Sequence, residues 1–204
     1  MNLSKTFRIH LINAISGIKS ANLIGTINQQ GKTNVAIFSS VIHMGSNPPL
    51  FGMVLRPNPE MRDTYRNIRE TMEFTINHVN VDICRKAHQT SGKYASDVSE
   101  FEACGLTPEF HGDFNAPFVA ESHIKLGLTY EEEHHIKANN TRLLIGRLKH
   151  LILPENVVAE SGHVNLAKAE TVALGGVDGY HRVEEVERLP FIRDVEKDSV
   201  LSTK

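Results

Sequence analysis

What the chain lacks narrows its function first. It has no tryptophan, two cysteines and 6% aromatic residues among 204. Cys84 and Cys104 stand far apart. Neither has the second cysteine at short spacing that zinc and dithiol redox sites need, so both read as core thiols. No apolar run approaches the roughly 20 residues of a membrane-spanning helix. The opening Met-Asn-Leu-Ser-Lys-Thr-Phe-Arg likewise lacks a long apolar segment. The expectation is a soluble, cytoplasmic protein with no membrane partner. Positive charge is also scarce, with 22 Lys and Arg against 24 Asp and Glu, a net charge of −2 and no long basic run. That argues against a nucleic-acid partner, whose phosphates would need neutralising. Eleven histidines are present but scattered, with no His-Glu-x-x-His and no Cys/His cluster of metal spacing. The adjacent His134 and His135 would point apart on either a strand or a helix, so no metal site is expected.

Several motifs are missing as well. There is no Gly-x-Gly-x-x-Gly after a strand, no Walker-type loop and no Gly-x-Ser-x-Gly elbow. Rossmann dinucleotide binding, P-loop chemistry and serine hydrolysis lose their usual signatures. No catalytic side chain is nominated.

What is present fits one domain spanning 1–204, with a charged, solvated tail from about residue 186. Residues 22–27 are apolar and partly β-branched, and residues 33–40 alternate Val35 and Ile37 against Asn34, Ala36 and Phe38. With Gly31 between them they read as a hairpin whose Asn34 face is polar enough to receive a ligand. A loop then runs to Pro48-Pro49, and the continuous apolar run 50–55 reads as a strand covered on both sides. A helix is expected over 63–72, capped by Asp63, with Tyr65, Ile68 and Met72 at helical spacing. Residues 73–79 alternate as a strand, and 82–88 read as a short helix. Residues 91–115 form a long ordered excursion. Residues 119–130 and 141–153 read as longer strands joined through an exposed tip at 131–140. Hairpin-linked strands with a few helices favour a mainly β, antiparallel barrel.

Ser39 and Ser40 end one strand, and Arg62, Asp63 and Thr64 open the helix reached through the next. A helix start offers unpaired N–H groups and a positive dipole end, while arginine and hydroxyls give directed bonds to phosphate oxygens. The segment is a candidate seat for a phosphate-bearing small molecule.

The ordered series Ser20-Ala-Asn-Leu-Ile-Gly-Thr26, Asn34-x-Ala-x-Phe-Ser-Ser40, Pro48-Pro-Leu50, Arg62-Asp-Thr-x-x-Asn-Ile68, Ser99-Glu-Phe-x-x-x-Gly-Leu106 and Leu174-Gly-Gly-x-x-x-Tyr180 resembles the flavin-reductase-like, FMN-binding split-barrel family. The resemblance implies a Greek-key split β-barrel, a homodimer, and FMN at the subunit interface. It further implies an oxidoreductase, most often an NADH- or NADPH-dependent flavin reductase, passing electrons to a small-molecule acceptor or a redox protein. The alternatives are a reductase of a small organic substrate or ferric complex, and an FMN-binding electron carrier without turnover of its own. Carried onto this chain, Asn34, Ala36 and Phe38 would line the flavin. Ser39, Ser40 and Thr64 would donate hydroxyls to the phosphate, and Arg62, where relatives often carry lysine, would supply charge. Lys19, Ser20 and Tyr180 fall at further flavin-contacting positions, and Asp63 and Asn67 of the same helix start are counted with the cofactor-binding residues.

Each residue also has a plainer reading. Asn34 and the serine pair suit a strand start and a strand end. Asp63 reads as a helix cap rather than an acid, and Asn67 as a link back to the loop or a helix-surface residue. His43 reads as an exposed loop residue or one within reach of the ring; His78 and His123 read as satisfied core or interface residues. Gly175-Gly176 reads as a tight bend, not a phosphate cradle.

Overall fold

The computed structural model describes residues 3–57, 60, 62–95 and 98–190. In chain order the elements are helix α1 (Lys5–Ala14), strands β1 (Lys19–Ser20), β2 (Asn22–Ile27), β3 (Thr33–Phe38), β4 (Val41–Ser46) and β5 (Pro49–Leu55), then helix α2 (Asp63–Thr71) and β6 (Glu73–His78). Helices α3 (Cys84–Gln89) and α4 (Glu100–Ala103) follow, then β7 (Pro108–His111), β8 (Phe114–Val119), β9 (Lys125–Ile136), β10 (Thr141–Ile152), β11 (Val172–Gly175) and β12 (Gly179–Arg182).

Seven antiparallel strands form the main sheet in the order β3-β2-β6-β9-β10-β5-β4. Its two edge strands are joined by only Ser39 and Ser40. Laid flat, the sheet would hold its edges about 29 Å apart at the usual strand spacing. The three Cα steps from Phe38 to Val41 reach at most about 11 Å. The sheet must therefore roll up until its edges meet at the serine pair. This is a split barrel, mainly β with a few helices, and the split lies where Ser39 and Ser40 bridge it.

Two apolar cores lie on opposite faces of the wall. Ile24, Phe74, Ile76, Leu128 and Leu144 fill one together with Tyr65 and Ile68 of α2. The opposite face of the β2–β3 hairpin, Leu23 and Val35, packs with Val79, Phe101 and Leu106 and with Val172 and Leu174 of the small β1-β11-β12 sheet. Strand β8 crosses the wall so closely that a Cβ on Gly25 would stand 2.1 Å from the Pro117 carbonyl oxygen. The crossing is fastened by Thr75 Oγ1 donating to Pro117 O (2.6 Å) and Val119 N–H donating to Asn77 Oδ1 (3.0 Å).

The β2–β3 hairpin, α2, β6 and β10 fall where the sequence places them, and Gly176 makes the β11–β12 bend at φ 64°. Other elements differ. Residues 41–46 are an edge strand, not a loop. Its Ile42, His43 and Met44 are exposed, so no burial alternation marks it. The expected strand 119–130 is divided, because a turn at residues 120–124 separates β8 from β9. The supposed tip at 131–136 is the end of β9, with the turn confined to 137–140. The expected excursion over 91–115 contains α4 and β7, with residues 96–97 outside the described set. Most of the expected tail, 191–204, also lies outside it. No helix among the described residues is long and apolar enough to cross a membrane.

Candidate functional site

The nominated residues gather in two clusters at the two ends of β3. At its start, Asn34, Thr64 and Asn67 are buried together with Thr26. One atom of the Asn34 amide lies 3.3 Å from Val35 N, 3.3 Å from Thr26 Oγ1 and 3.2 Å from Thr64 Oγ1, while the other lies 3.1 Å from Glu100 Oε2. Only one orientation satisfies every partner. The amide oxygen accepts from the Val35 N–H and both threonine hydroxyls, and the amide nitrogen donates to the carboxylate. Asn67 Nδ2 donates to Thr26 Oγ1 at 3.1 Å, so it links α2 back to the wall rather than lying on the helix surface. Burial raises the Glu100 carboxyl above its ordinary range, and the nearby Asp63 charge adds to the rise.

Arg62 heads α2. It occupies the N-cap position in extended conformation with no side-chain cap bond, so Asp63 is not the cap. Asp63 sits inside the first turn and pairs with Arg66 three residues on. That pairing takes its carboxylate away from the open N–H groups. The exposed Arg62 side chain has no partner among the described residues.

At the far end of β3 the split is laced by hydroxyls. Ser40 Oγ donates to Val54 O at 2.8 Å, and the Val54 N–H donates to Ser40 O at 3.3 Å. Ser20 Oγ accepts from Asn22 Nδ2 (2.8 Å) and donates to Val41 O (3.4 Å). Ser39 is half-buried, and its hydroxyl has no side-chain bond among the described residues. Ala36 and Phe38 lie between the clusters, both half-buried, with Phe38 packed against the core shared with α2. The six residues of β3 span about 17 Å at strand rise. An elongated ligand is needed to touch both ends; a simple ion cannot.

The hydroxyl hydrogens of Ser40 and Thr64 are committed inside the protein. Toward an outside anion they leave backbone N–H groups, with Ser39 and Arg62 as uncommitted side-chain donors. Arg56 was not read from the sequence as a site residue. It follows β5 two residues beyond the Ser40–Val54 contact, is exposed, and lacks a partner among the described residues. Its signal is a lone cation directly after a continuous apolar run.

The remaining nominated residues are held elsewhere. Lys19 Nζ donates to Asn13 O (2.7 Å) and Gly176 O (2.9 Å), fastening the end of α1 to the β11–β12 bend. Tyr180 packs on α3, with its hydroxyl 3.2 Å from His88 Nδ1. Burial, with the nearby Cys84 and Asp178, pushes its phenol up to about 12. His43 is exposed on β4 and meets the Phe51 ring edge-on. His123 Nδ1 lies 2.9 Å from Ala169 O and is satisfied. His78 Nδ1, by contrast, is buried without a partner among the described residues.

A seven-stranded split barrel with a polar seam between its edge strands and a cation heading the adjoining helix is the architecture of a known class. The chain belongs to the flavin reductase like domain family, whose signature matches residues 17–169. Membership places it among the flavin-related oxidoreductases. Its structure is similar to that of a candidate flavin reductase with a split-barrel domain from Shewanella frigidimarina, at 47% identity and a TM-score of 0.90 over 94% of this chain and 95% of that one. The same fold is shared with nitrilotriacetate monooxygenase component B from Bacillus cereus, at 20% identity and a TM-score of 0.81 over 92% and 95% of the two chains. It is also shared with an FMN-binding protein from Thermus thermophilus, at 18% identity and a TM-score of 0.71 over 87% and 93%.

Proposed function

We propose that the protein binds FMN along β3, with the phosphate at the head of α2 and the rest of the molecule running toward the Ser39–Ser40 junction, and acts as an NAD(P)H-dependent flavin reductase. The observation that carries this is the pairing of a nine-residue helix without a side-chain cap bond with an exposed Arg62 at its start that has no side-chain partner among the described residues. Such a helix end is a ready seat for a dianion, because N–H groups, dipole and guanidinium all favour negative charge. The carboxylate in the first turn, Asp63, is paired with Arg66.

Arg62 supplies charge and a planar donor fork, and the first-turn N–H groups of α2 add directed bonds. Ser39 offers a free hydroxyl at the junction, and Arg56 stands beside it. Ser20 borders the same edge. Ala36 and Phe38 present a small and an apolar surface suited to a flat ring. Bound FMN would supply hydride acceptance and onward electron transfer, which accounts for the absence of a nucleophile or general acid among the nominated side chains. Family membership and the fold shared with an FMN-binding protein support this reading. We further propose a homodimer, with a nicotinamide as donor and a small molecule or redox protein as acceptor.

The test is an absorbance spectrum of the purified protein with FMN, followed by anaerobic addition of NADH and NADPH in separate samples. Rapid bleaching of the flavin by either nucleotide is expected. Bound flavin that neither bleaches would remove the reductase and favour the electron carrier.

A further inference from the structure

We propose that Glu100 is a positioning residue for the phosphate end of the flavin, acting through Asn34 and Thr64 on the head of α2. The proposal rests on the FMN reading above.

Glu100 opens α4, which is fixed to β3 beside Asn34. Ser99 Oγ donates to Thr33 O at 3.1 Å and lies 3.2 Å from Thr33 Oγ1, while Phe101 is buried beneath at 2% exposure. The carboxylate thus meets Asn34 from a rigid mount. Glu100 Oε2 accepts from the Asn34 amide nitrogen at 3.1 Å, and this contact decides which way the amide faces. The Asn34 oxygen then receives the hydroxyls of Thr64 and Thr26, and Thr26 in turn accepts from Asn67. One acceptor orients a chain of donors that reaches α2 at two points one turn apart. Without it, the amide is free to turn its nitrogen toward the threonines, which reverses the Thr64 bond and leaves the Thr64 hydroxyl hydrogen without its inward acceptor. Thr64 is two residues from Arg62, so its anchorage fixes where the guanidinium and the open N–H groups stand.

The other charged groups around Glu100 fit this role. Asp63 of α2 and Lys32 of the β2–β3 turn act on it with opposite sign, and Arg66 and Glu70 line the same cleft of about 230 Å³. None of them replaces the acceptor that Asn34 uses. A glutamine keeps an acceptor oxygen at the same reach while removing the repulsion from Asp63.

The test compares dissociation constants for FMN and for riboflavin, which lacks the phosphate, in the wild type and in Glu100→Ala and Glu100→Gln. The wild type is expected to prefer FMN. Glu100→Ala should weaken FMN about tenfold, the scale of one hydrogen bond to a charged group, and leave riboflavin nearly unchanged. Glu100→Gln should restore FMN binding. Equal loss for both ligands, no loss for FMN, or failure of glutamine to rescue would overturn the proposal. A wild type indifferent to the phosphate would instead defeat the FMN reading itself, and the role of Glu100 with it. If Glu100→Ala does not fold, Glu100→Asp gives the same comparison, since its carboxylate falls one methylene short of Asn34.

Discussion

The Ser40 hydroxyl donates to the Val54 carbonyl at 2.8 Å, pinning the junction of the two sheet edges to the strand that runs on toward Arg56 and α2. Ser40→Ala removes this bond and keeps the backbone pairing between Val54 and Ser40. Stability should fall by about 1 kcal/mol, the usual net value of such a bond. Urea unfolding measures that loss. FMN titration of the same variant should show weaker binding, and an unchanged affinity would leave Ser40 a purely structural residue.

Arg62→Ala should weaken FMN by roughly 1.5–3 kcal/mol if the guanidinium makes a charge-assisted bond to phosphate. Arg62→Lys should recover part of that loss, because it keeps the charge and gives up the planar fork. Calorimetric titration distinguishes the two variants. Equal affinity in wild type and Arg62→Ala would remove Arg62 from the site.

Gly25→Ala tests the crossing of β8 over the wall. The added carbon would stand 2.1 Å from Pro117 O and 2.5 Å from Thr75 Oγ1. Overpacking of this kind costs about 1–3 kcal/mol, and backbone contact on one side puts it at the upper end. A clear drop in thermal midpoint is expected. A midpoint within a degree of wild type would mean that β8 does not press on β2.

His78 gives the fold a pH dependence. Burial holds its folded-state pKa down to about 4, against an ordinary 6.5. Stability tied to the neutral ring is complete above pH 6.5 and is lost as the pH falls toward 4, by about 3 kcal/mol in all. Urea midpoints at pH 7 and pH 4.5 should therefore differ more for wild type than for His78→Leu. Parallel shifts in both proteins would exclude His78 as the source.

The sequence made some parts plain and hid others for physical reasons. The β2–β3 hairpin was legible because Val35 and Ile37 face one core while Asn34, Ala36 and Phe38 face the other side. Helix α2 was legible because Tyr65 and Ile68 bury one stripe. Strand β4 hid itself, since an exposed edge strand has no buried face to alternate against. Helix α1 did so too, because none of its residues is buried and Phe7, Ile9 and Ile12 lie exposed. At the site, the serine pair and the Arg-Asp-Thr run stood out as residue types, but their division into two clusters needed the fold. Asp63 looked like a cap until Arg62 took the extended position and Arg66 took the carboxylate. Glu100 showed only as part of the Ser99-Glu-Phe motif, with no role legible, as its partner lies 66 residues earlier in the chain.

Equilibrium dialysis of FMN against the purified protein tests the proposed flavin seat most directly. One FMN per chain should be retained, with riboflavin held far more weakly because the phosphate end is what Arg62 and the α2 start engage. Failure to retain flavin, or equal retention of FMN and riboflavin, would contradict it.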